Sequence, residues 1–422
     1  MKVFQIVIFI NESHQRCLLI SLEDINKILD VTKDQYEHAL DLHKKSIVCD
    51  SLTFDPAPFS EKMIHAINKK IDSGKSLEEI KEKIGIEFAR DGFLRVKEIV
   101  QDLKARNEYT ETWNRSGVTA GSVTLNAPNK DRAVKSIALY TYKFDNLGDV
   151  IVKATKAQDI KKAKEMKKHA VLWNFQNAQA IGGGTNLEDE LENVEFFYDL
   201  GVRTIQLTYN LRNFLGDGCT ERYQSGLSDF GIEIVGKMNE LGMLIDLSHC
   251  GYQTMMDAME TSKQPVACTH TACKPIYDHP RNKTDEQLQV LAEKNGYAGI
   301  CLVPFFLAKD ATLKHFLDHV DHAVKIMGIN HVGIGTDTYE RFPDEPEKLV
   351  QKQNEERNWW DGWRPGKQTV NSNLWPHKKG AIETWENWPY LTVGLASRGY
   401  SDEEIQKIIG GNYLKILERV IG

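Results

Sequence analysis

Eight short apolar runs recur along the chain, and a helical pattern follows each of them. The runs are almost continuously apolar and rich in Val and Ile, which is typical of parallel strands buried on both faces. They are SIVCD (46–50), GVTAGSVTL (117–125), HAVLWNF (169–175), TIQLTY (204–209), MLIDLSH (243–249), PVACTH (265–270), YAGICLV (297–303) and HVGIGTD (331–337). Eight repeats of strand and helix predict an α/β fold, the parallel (β/α)8 or TIM barrel.

A doubly wound sheet also alternates strands and helices, but it seldom contains eight such units. No GxGxxG or Walker motif follows the first run, as a nucleotide-binding sheet of that kind would require. The 422 residues suffice for one barrel with additions. We therefore expect residues 46–422 to form a single barrel domain that includes the closing helices, and residues 1–45 to form a partly helical N-terminal extension.

Two additions to the barrel stand out. Charged, periodic stretches at 22–45 and 59–107 predict amphipathic helices. The segment 340–390 holds six of the eight tryptophans and follows the last run, so it should lie over the barrel mouth. There the tryptophans could line a substrate pocket or cap the core. The closing stretch RGYSDEEIQKIIGGNYLKILERV predicts a helix, a Gly-Gly-Asn break and another helix.

Charge and cysteine usage narrow the partners and the compartment. A net charge of −7 argues against nucleic acid or an anionic membrane as the main partner. No 18-residue apolar run predicts a transmembrane helix, and the N-terminal run MKVFQIVIFI favours a peripheral strand or a mis-assigned start over a signal peptide. Seven scattered cysteines without a CxxC pair favour reduced thiols in a cytoplasmic protein. The expected partner is a small-molecule substrate, with a homodimer as a possible assembly.

Polar side chains follow the predicted strands, at the barrel end where such enzymes carry their chemistry. His249 and His270 end consecutive runs. Neighbouring strands lie about 4.8 Å apart, so both imidazoles could reach one ion. Imidazole is a common ligand of Zn and Fe, and Asp337, after the eighth run, could act as a base for water. Two histidines and an aspartate in this pattern favour a metal site over unrelated structural residues.

Two further polar residues near these strand ends have less specific signals. Asp246, on the same run as His249, could orient a metal ligand, although a structural aspartate is an equal alternative. Arg281, on the loop after the sixth run, could hold a carboxylate through its bidentate fork, or it could be a solvated surface residue.

These residues also carry a resemblance to a known family. The chain resembles the membrane (renal) dipeptidases, peptidase family M19 of the amidohydrolase superfamily, in the stretches FYDLGVRTIQLTYN, GLSDFGIEIVGKMNELGMLIDLSHC, PVACTHTACKPIYDHPRN, HVGIGTD and RGYSDEEIQKIIGGNYL. The resemblance implies a two-metal site, usually zinc, and hydrolysis of dipeptides. It implies that His249 and His270 hold the second metal, that Arg281 binds the substrate carboxylate, and that Asp337 matches the family's aspartate on the eighth strand.

The sequence departs from the family's pattern at three places. The bridging Glu on the third strand falls at Gln176, and the His that would polarise the scissile carbonyl falls at Tyr209. The His-x-Asp after the first strand falls at Leu52 and Phe54, which cannot bind a metal. Asp55 is one residue out of register and could substitute only if the loop bulges. We therefore expect the first metal site to be absent.

Loss of the first metal makes a bridging carboxylate unnecessary, and Gln is the neutral isostere of Glu. The expected cofactor is one divalent ion, with Zn favoured and Fe or Mn as alternatives, held by His249, His270 and the carbonyl oxygen of Gln176. This donor set compensates a doubly charged ion poorly, so binding should be weaker than at a two-metal site. Tyr209 could donate to a developing oxyanion or act as a general acid, or it could merely line the pocket.

Three functions remain open from the sequence. The first is a metal-dependent hydrolase of a small amide or dipeptide-like substrate, in which Asp337 is the base and Tyr209 stabilises the oxyanion. The second is a repurposed enzyme that runs a non-hydrolytic step, such as an isomerisation or an elimination. The third is a catalytically inactive binding protein on the same scaffold.

Overall fold

The structure, a computed structural model, describes residues 22–57, 73, 95–125, 127–309, 311–338 and 385–422. The N-terminal apolar run, most of the predicted helical stretch at 59–107 and four of the six clustered tryptophans lie outside the described residues. Within the described residues, no helix is both long and apolar enough to cross a membrane.

Eight parallel strands form a nearly closed barrel, which confirms the predicted TIM-barrel fold. Each strand overlaps the run predicted for it. The strands are β1 Cys49–Thr53, β2 Ala120–Thr124, β4 His169–Phe175, β5 Val202–Gln206, β6 Leu244–Asp246, β7 Ala267–Thr271, β8 Tyr297–Ile300 and β9 Val332–Ile334. The last strand joins the first through backbone hydrogen bonds, from Asp337 N to Leu52 O (2.9 Å) and from Phe54 N to Thr338 O (3.2 Å).

A ninth short strand, β3 (Ile151–Lys153), was not expected from the sequence. It pairs with the first three residues of β4, whereas β5 pairs with the last three. Because β4 has seven residues, it can accommodate both partners. A strand of three residues is too short to give a periodic signal, and IVK leads directly into a polar turn.

The helices alternate with the strands and cover the outside of the barrel. They are α1 Leu22–Ile25, α2 Lys33–Lys45, α3 Leu103–Ser116, α4 Lys130–Asn146, α5 Ala157–Glu165, α6 Leu187–Leu200, α7 Asp229–Leu241, α8 Tyr252–Thr261, α9 Asp285–Glu293, α10 Pro304–Leu307, α11 Leu313–Met327, α12 Pro389–Ser397, α13 Asp402–Gln406 and α14 Asn412–Val420. Residues 95–101 are also helical. Side-chain caps such as Ser228 before α7 and Thr284 before α9 satisfy first-turn amides, each stabilising its helix by about 1 kcal/mol.

The Gly-Gly-Asn break ties the C-terminal helices to the barrel. A Cβ on Gly410 would lie 2.3 Å from the carbonyl oxygen of Ile47, so only glycine allows this close approach. The Asn412 amide then donates to the carbonyls of Ile329 and Val332, at 2.7 Å each. The break therefore anchors α14 to the beginning of β9 and to the residues that lead into β1.

The seam between β1 and β9 is held by a buried carboxylate, Asp50. It accepts hydrogen bonds from the backbone N and hydroxyl of Thr336 (2.8 and 2.6 Å) and from the indoles of Trp385 and Trp388 (3.0 and 3.1 Å). Burial raises the pKa of Asp50 to about 6, and these hydrogen bonds act in the opposite direction. These two tryptophans are themselves buried, so they cap the core at the seam rather than line an open pocket.

Candidate active site

His249 and His270 meet at the carboxyl ends of β6 and β7. Their Nε2 atoms lie 2.9 Å apart and their ring centroids 4.9 Å apart. Both residues are buried, with exposures of 3% and 0%. The structure therefore brings together the two histidines that the sequence predicts to share an ion.

The second nitrogen of each imidazole is held by a partner that fixes its tautomer. His249 Nδ1 contacts the amide oxygen of Asn210, which can only accept, so this nitrogen carries the proton. The hydroxyl of Thr269 donates to Asp246 (2.7 Å) and must therefore accept from His270 Nδ1 (3.0 Å). Consequently, both Nε2 atoms are unprotonated, and their lone pairs point at each other.

Two facing lone pairs repel unless a cation or a proton lies between them. Burial, reinforced by the charge of Arg281, lowers the pKa of both histidines well below their usual range, which disfavours the proton. A tetrahedral zinc ion would need the two nitrogens about 3.3 Å apart, a small opening from the observed separation. The pair therefore fits a metal ion, although no group of three or more His, Cys, Asp or Glu side chains among the described residues is placed to hold one.

Arg281 lies in the wall of this site, fully buried, and is not a solvated surface residue. Its guanidinium donates to the carbonyl oxygens of Ser248 and of His270 (3.0 Å). It thus ties together the two strand ends that carry the histidines. Its Nε is buried without a hydrogen-bond acceptor among the described residues, so part of its donor capacity is unused.

Tyr209 covers the face of His249. The two rings stack with centroids 4.2 Å apart and an interplanar angle of 21°. Desolvation and the nearby carboxyl group of Asp337 raise the pKa of Tyr209 to about 12. The phenol therefore stays protonated at neutral pH and can donate a hydrogen bond into the mouth of the barrel.

Asp337 follows β9 and faces the same mouth. Burial is the main cause that raises its pKa to about 7; Asp50 and Asp246 add to the rise, and Arg281 opposes it. Its backbone is left-handed, with φ +53°, a conformation that Asp and Asn tolerate better than most residues. A carboxyl group with a pKa near neutrality is suited to exchange protons at the working pH of most enzymes.

The sequence comparison that decides the family is a match to the family model of the membrane dipeptidases, peptidase family M19. It covers residues 115–354, which is more than half of the chain. The chain belongs to the membrane dipeptidase family. An uncharacterised dipeptidase of Schizosaccharomyces pombe is 30% identical over 312 residues, which cover 72% of this chain and 64% of that protein.

Solved structures share the fold of the chain. An amidohydrolase from Pseudomonas aeruginosa is 27% identical, with a TM-score of 0.65 over 90% of this chain and 98% of the other. A metallopeptidase from Rhodobacter sphaeroides shares the fold at 18% identity, with a TM-score of 0.59 over 74% and 89% of the two chains. The chain spans 50–64% of the length of three curated relatives that it matches and 43% of two others.

Leu52, where the resemblance expects a ligand of the family's first metal, is an apolar side chain that is 1% exposed. Asp55, the nearest carboxylate along the chain, does not face an open metal site. It pairs with the fully buried ammonium of Lys143 on α4 and accepts a hydrogen bond from the hydroxyl of Tyr109 (3.1 Å). The pairing of β1 with β2 does shift register between Asp50 and Thr53, but the carboxylate is already neutralised by a cation of the chain itself.

Gln176, where the resemblance expects the family's bridging Glu, follows β4 at the barrel mouth. Its amide nitrogen donates to the hydroxyl of Thr124 (3.0 Å), which in turn donates to Asn174 (3.0 Å). This ordered chain of donors fixes which end of the amide is the nitrogen. The carbonyl oxygen is therefore the end of Gln176 left for a ligand.

Sequence reasoning missed two residues that define the histidine pair, Asn210 and Thr269. Both stand at strand ends that the sequence marked as polar, but nothing in the residue types showed which side chains they would hold. Asn210 has a left-handed backbone (φ +59°), and Leu211 N donates back to Tyr209 O (2.6 Å). This tight turn aims the amide at His249. An Asn that directly follows an aromatic strand end is the only available signal, and it is a weak one.

Proposed function

We propose that the chain is a metal-dependent hydrolase of a small amide or dipeptide-like substrate, and that it works with one ion. The observation that carries this proposal is the pair of buried imidazoles whose unprotonated Nε2 atoms converge. The family's curated members matched here are called dipeptidases, and the Rhodobacter sphaeroides neighbour is described with a phosphinate mimic of the dipeptide L-Ala-D-Ala. Both support a peptide-like substrate.

His249 and His270 would hold the ion, with the carbonyl oxygen of Gln176 as a neutral third donor. When bound, the ion would supply Lewis acidity, which polarises an amide carbonyl and acidifies water. Leu52, the ion pair of Asp55 with Lys143 and the four hydrogen bonds that hold Asp50 leave no free acidic or imidazole ligand for a second ion on the β1 side among the described residues. Zn is the favoured metal because imidazole nitrogens suit it, with Fe or Mn as alternatives.

Three further side chains at the barrel mouth would transfer protons and stabilise charge during the reaction. Asp337 takes a proton from the attacking water and returns it to the leaving amine. Tyr209, held neutral, donates to the oxyanion that develops on the carbonyl oxygen. Arg281 supplies a fixed positive charge, and its unused Nε donor suits a substrate carboxylate, while its other donors hold the strand ends.

We further propose that the protein is cytoplasmic and that its substrate is a small molecule. All six described cysteines are free and buried, which is compatible with a reducing compartment.

Metal content and activity test the proposal together. Protein purified without chelator should contain about one equivalent of divalent metal per chain by elemental analysis, and it should hydrolyse members of a dipeptide panel. Dialysis against a chelator should abolish hydrolysis, and one added equivalent of Zn should restore it. Less than about a tenth of an equivalent, with no rescue by added Zn, Fe or Mn, would rule the proposal out.

A second function, a non-hydrolytic proton transfer such as an isomerisation or elimination, is favoured by one observation. Asp337, whose pKa burial raises to about 7, lies near Tyr209, whose pKa burial raises to about 12 with a smaller contribution from the Asp337 carboxyl group. A base and a neutral proton donor that face the same mouth can move a proton on a substrate without a nucleophilic water. A product that incorporates no oxygen from labelled water would favour this function over hydrolysis.

Removal of the Asn210 side chain should weaken metal binding by about 10–100-fold, because His249 would lose the acceptor that fixes its tautomer. Asn210→Gly is the appropriate change, since glycine keeps the left-handed backbone. Competition with a chromophoric chelator measures the dissociation constant. Asn210→Asp should retain binding within a few-fold, because a carboxylate also accepts from Nδ1. Equal binding by the Gly variant and the wild type would contradict the role of Asn210.

A further inference from the structure

The carboxylate of Asp50 is fully occupied by four hydrogen bonds. Its Oδ1 accepts from the backbone N of Thr336 (2.8 Å), and its Oδ2 accepts from the Thr336 hydroxyl (2.6 Å) and from the indoles of Trp385 and Trp388 (3.0 and 3.1 Å). A carboxylate offers about four lone-pair sites to donors. Asp50, which is 0% exposed, therefore has no site left for a metal ion or a substrate, and it can act only on the groups that it holds.

One of these groups, Thr336, directly precedes Asp337 in the chain. The Thr338 hydroxyl donates to the Thr336 hydroxyl (2.9 Å), so the residues on both sides of Asp337 are linked to the same carboxylate. Asp337 N itself donates to Leu52 O (2.9 Å). The left-handed backbone of Asp337, with φ +53°, is unfavourable for most residues other than glycine and persists only where the surroundings fix it. The hydrogen bonds around Asp337 meet this requirement.

The other two donors to the buried carboxylate come from one turn, directly before α12 and outside the ring of strands. Trp385 and Trp388 lie three residues apart in that turn, and they are 3% and 2% exposed. Between them, Glu386 accepts from the guanidinium of Arg115 on α3 (3.3 Å). Trp385 also packs edge-on against Trp113 of the same helix, with ring centroids 4.5 Å apart. The turn is thus fixed on α3 and presents both indole N–H groups to the carboxylate.

The two indoles also keep Asp50 in the form that accepts hydrogen bonds. Burial raises the pKa of Asp50 to about 6, and the hydrogen bonds from Thr336, Trp385 and Trp388 act to lower it. Protonation of Oδ2 would place a hydrogen where three donors converge, so loss of the indoles would also weaken the hold on Thr336. The turn thus supports, through Asp50, the strand end that carries Asp337.

We propose that Asp50, Trp385 and Trp388 form a positioning assembly that fixes the direction of the Asp337 carboxyl group. Asp50 is a positioning residue, because it acts through Thr336. A displacement of a catalytic group by about 1 Å can lower a rate by about 100-fold, so a base on a left-handed strand end requires such support. The inference rests on the proposed role of Asp337 as the general base.

Kinetics of variants that remove hydrogen bonds of the assembly test this inference. Thr336→Val and the double variant Trp385→Phe/Trp388→Phe should each lower kcat at least about tenfold, which is about 1.4 kcal/mol, with KM within about twofold and metal content as in the wild type. Thr336→Ser keeps the hydroxyl and should retain kcat within about twofold. Trp173→Phe is the matched control. Trp173 is 1% exposed and its indole N–H has no acceptor among the described residues, so its kcat should also stay within about twofold.

Hydrogen exchange gives a second measurement that requires neither metal nor turnover. In chelator-treated protein, mass spectrometry of a peptide that spans 331–338 reports on the Asp337 amide, which donates to Leu52 O. Exchange in this peptide should be at least about tenfold faster in Thr336→Val and in the double tryptophan variant than in the wild type. It should be unchanged in Thr336→Ser and in Trp173→Phe.

Two kinds of result would overturn the inference. One is wild-type exchange in the folded variants, or faster exchange with an unchanged kcat, since the assembly would then support the fold alone. The other is a fall of kcat in Trp173→Phe as large as that in the double tryptophan variant. If the wild type hydrolysed no dipeptide, the hydrolase proposal would fail, and the exchange measurement alone would decide whether the assembly fixes Asp337.

Discussion

Replacement of His270 by alanine is expected to abolish both metal binding and hydrolysis. The pair offers two convergent Nε2 donors at 2.9 Å, and removal of one leaves a single imidazole in a fully buried site. One neutral nitrogen cannot compensate the desolvation of a divalent ion. We expect less than a tenth of an equivalent of metal by elemental analysis, and a fall in kcat/KM on the order of a thousandfold, about 4 kcal/mol.

His319 offers a matched control for this variant. It is also fully buried, and burial lowers its pKa to about 4, but it lies on α11 and contacts Cys273 N (3.0 Å) and Leu307 O (3.0 Å). His319→Gln should lose some stability and keep its full metal content. A His270→Ala protein that still bound close to one equivalent of metal would show that other residues hold the ion.

The fold was predictable from the sequence because a parallel barrel strand is buried on both faces. Each of the eight barrel strands therefore lies in or overlaps an almost continuously apolar run of sequence. The strand β3 was not predicted, because three residues are too few to show a periodic pattern of apolar residues. It pairs only with the first three residues of β4. The elements that the sequence predicts at 59–94 and 340–384 lie outside the described residues, so those parts remain predictions.

The candidate site was predictable only in part. The carboxyl ends of all strands of a parallel barrel meet at one end of the barrel. His249, His270 and Asp337 each follow or end a predicted strand, so the sequence alone predicted that they would lie together there. Side-chain direction is set by turns and local hydrogen bonds, which the order of residues does not encode strongly. For that reason the sequence did not predict the turn at Asn210 that orients His249. It also did not predict that the Arg281 guanidinium would donate to backbone carbonyl oxygens.

Asp337 should be the residue whose loss separates catalysis from metal binding. Asp337→Asn is expected to lower kcat by about 10²–10⁴-fold, the usual contribution of a general base, while metal content stays at the wild-type level. Asn tolerates the left-handed backbone at this position, so the fold should be retained. In the wild type, kcat/KM should rise with pH through an apparent pKa at or below about 7, because the base must be deprotonated and a bound cation would lower its pKa. The variant should lose this acidic limb.

Stability in the absence of metal gives an independent measurement of the same carboxyl group. Its pKa is raised from 3.8 to about 7 in the folded protein, so the native state binds the proton more tightly than the unfolded chain. The stabilisation is therefore complete below about pH 4 and is lost as the pH rises towards 7. Chelator-treated wild type should lose up to about 3 kcal/mol of unfolding free energy across this window relative to Asp337→Asn, and less if the partial exposure of Asp337 screens the effect. Parallel denaturant curves at pH 5 and pH 8 with an unchanged difference between the two proteins would contradict a carboxyl group at the mouth that titrates near neutral pH in the folded protein.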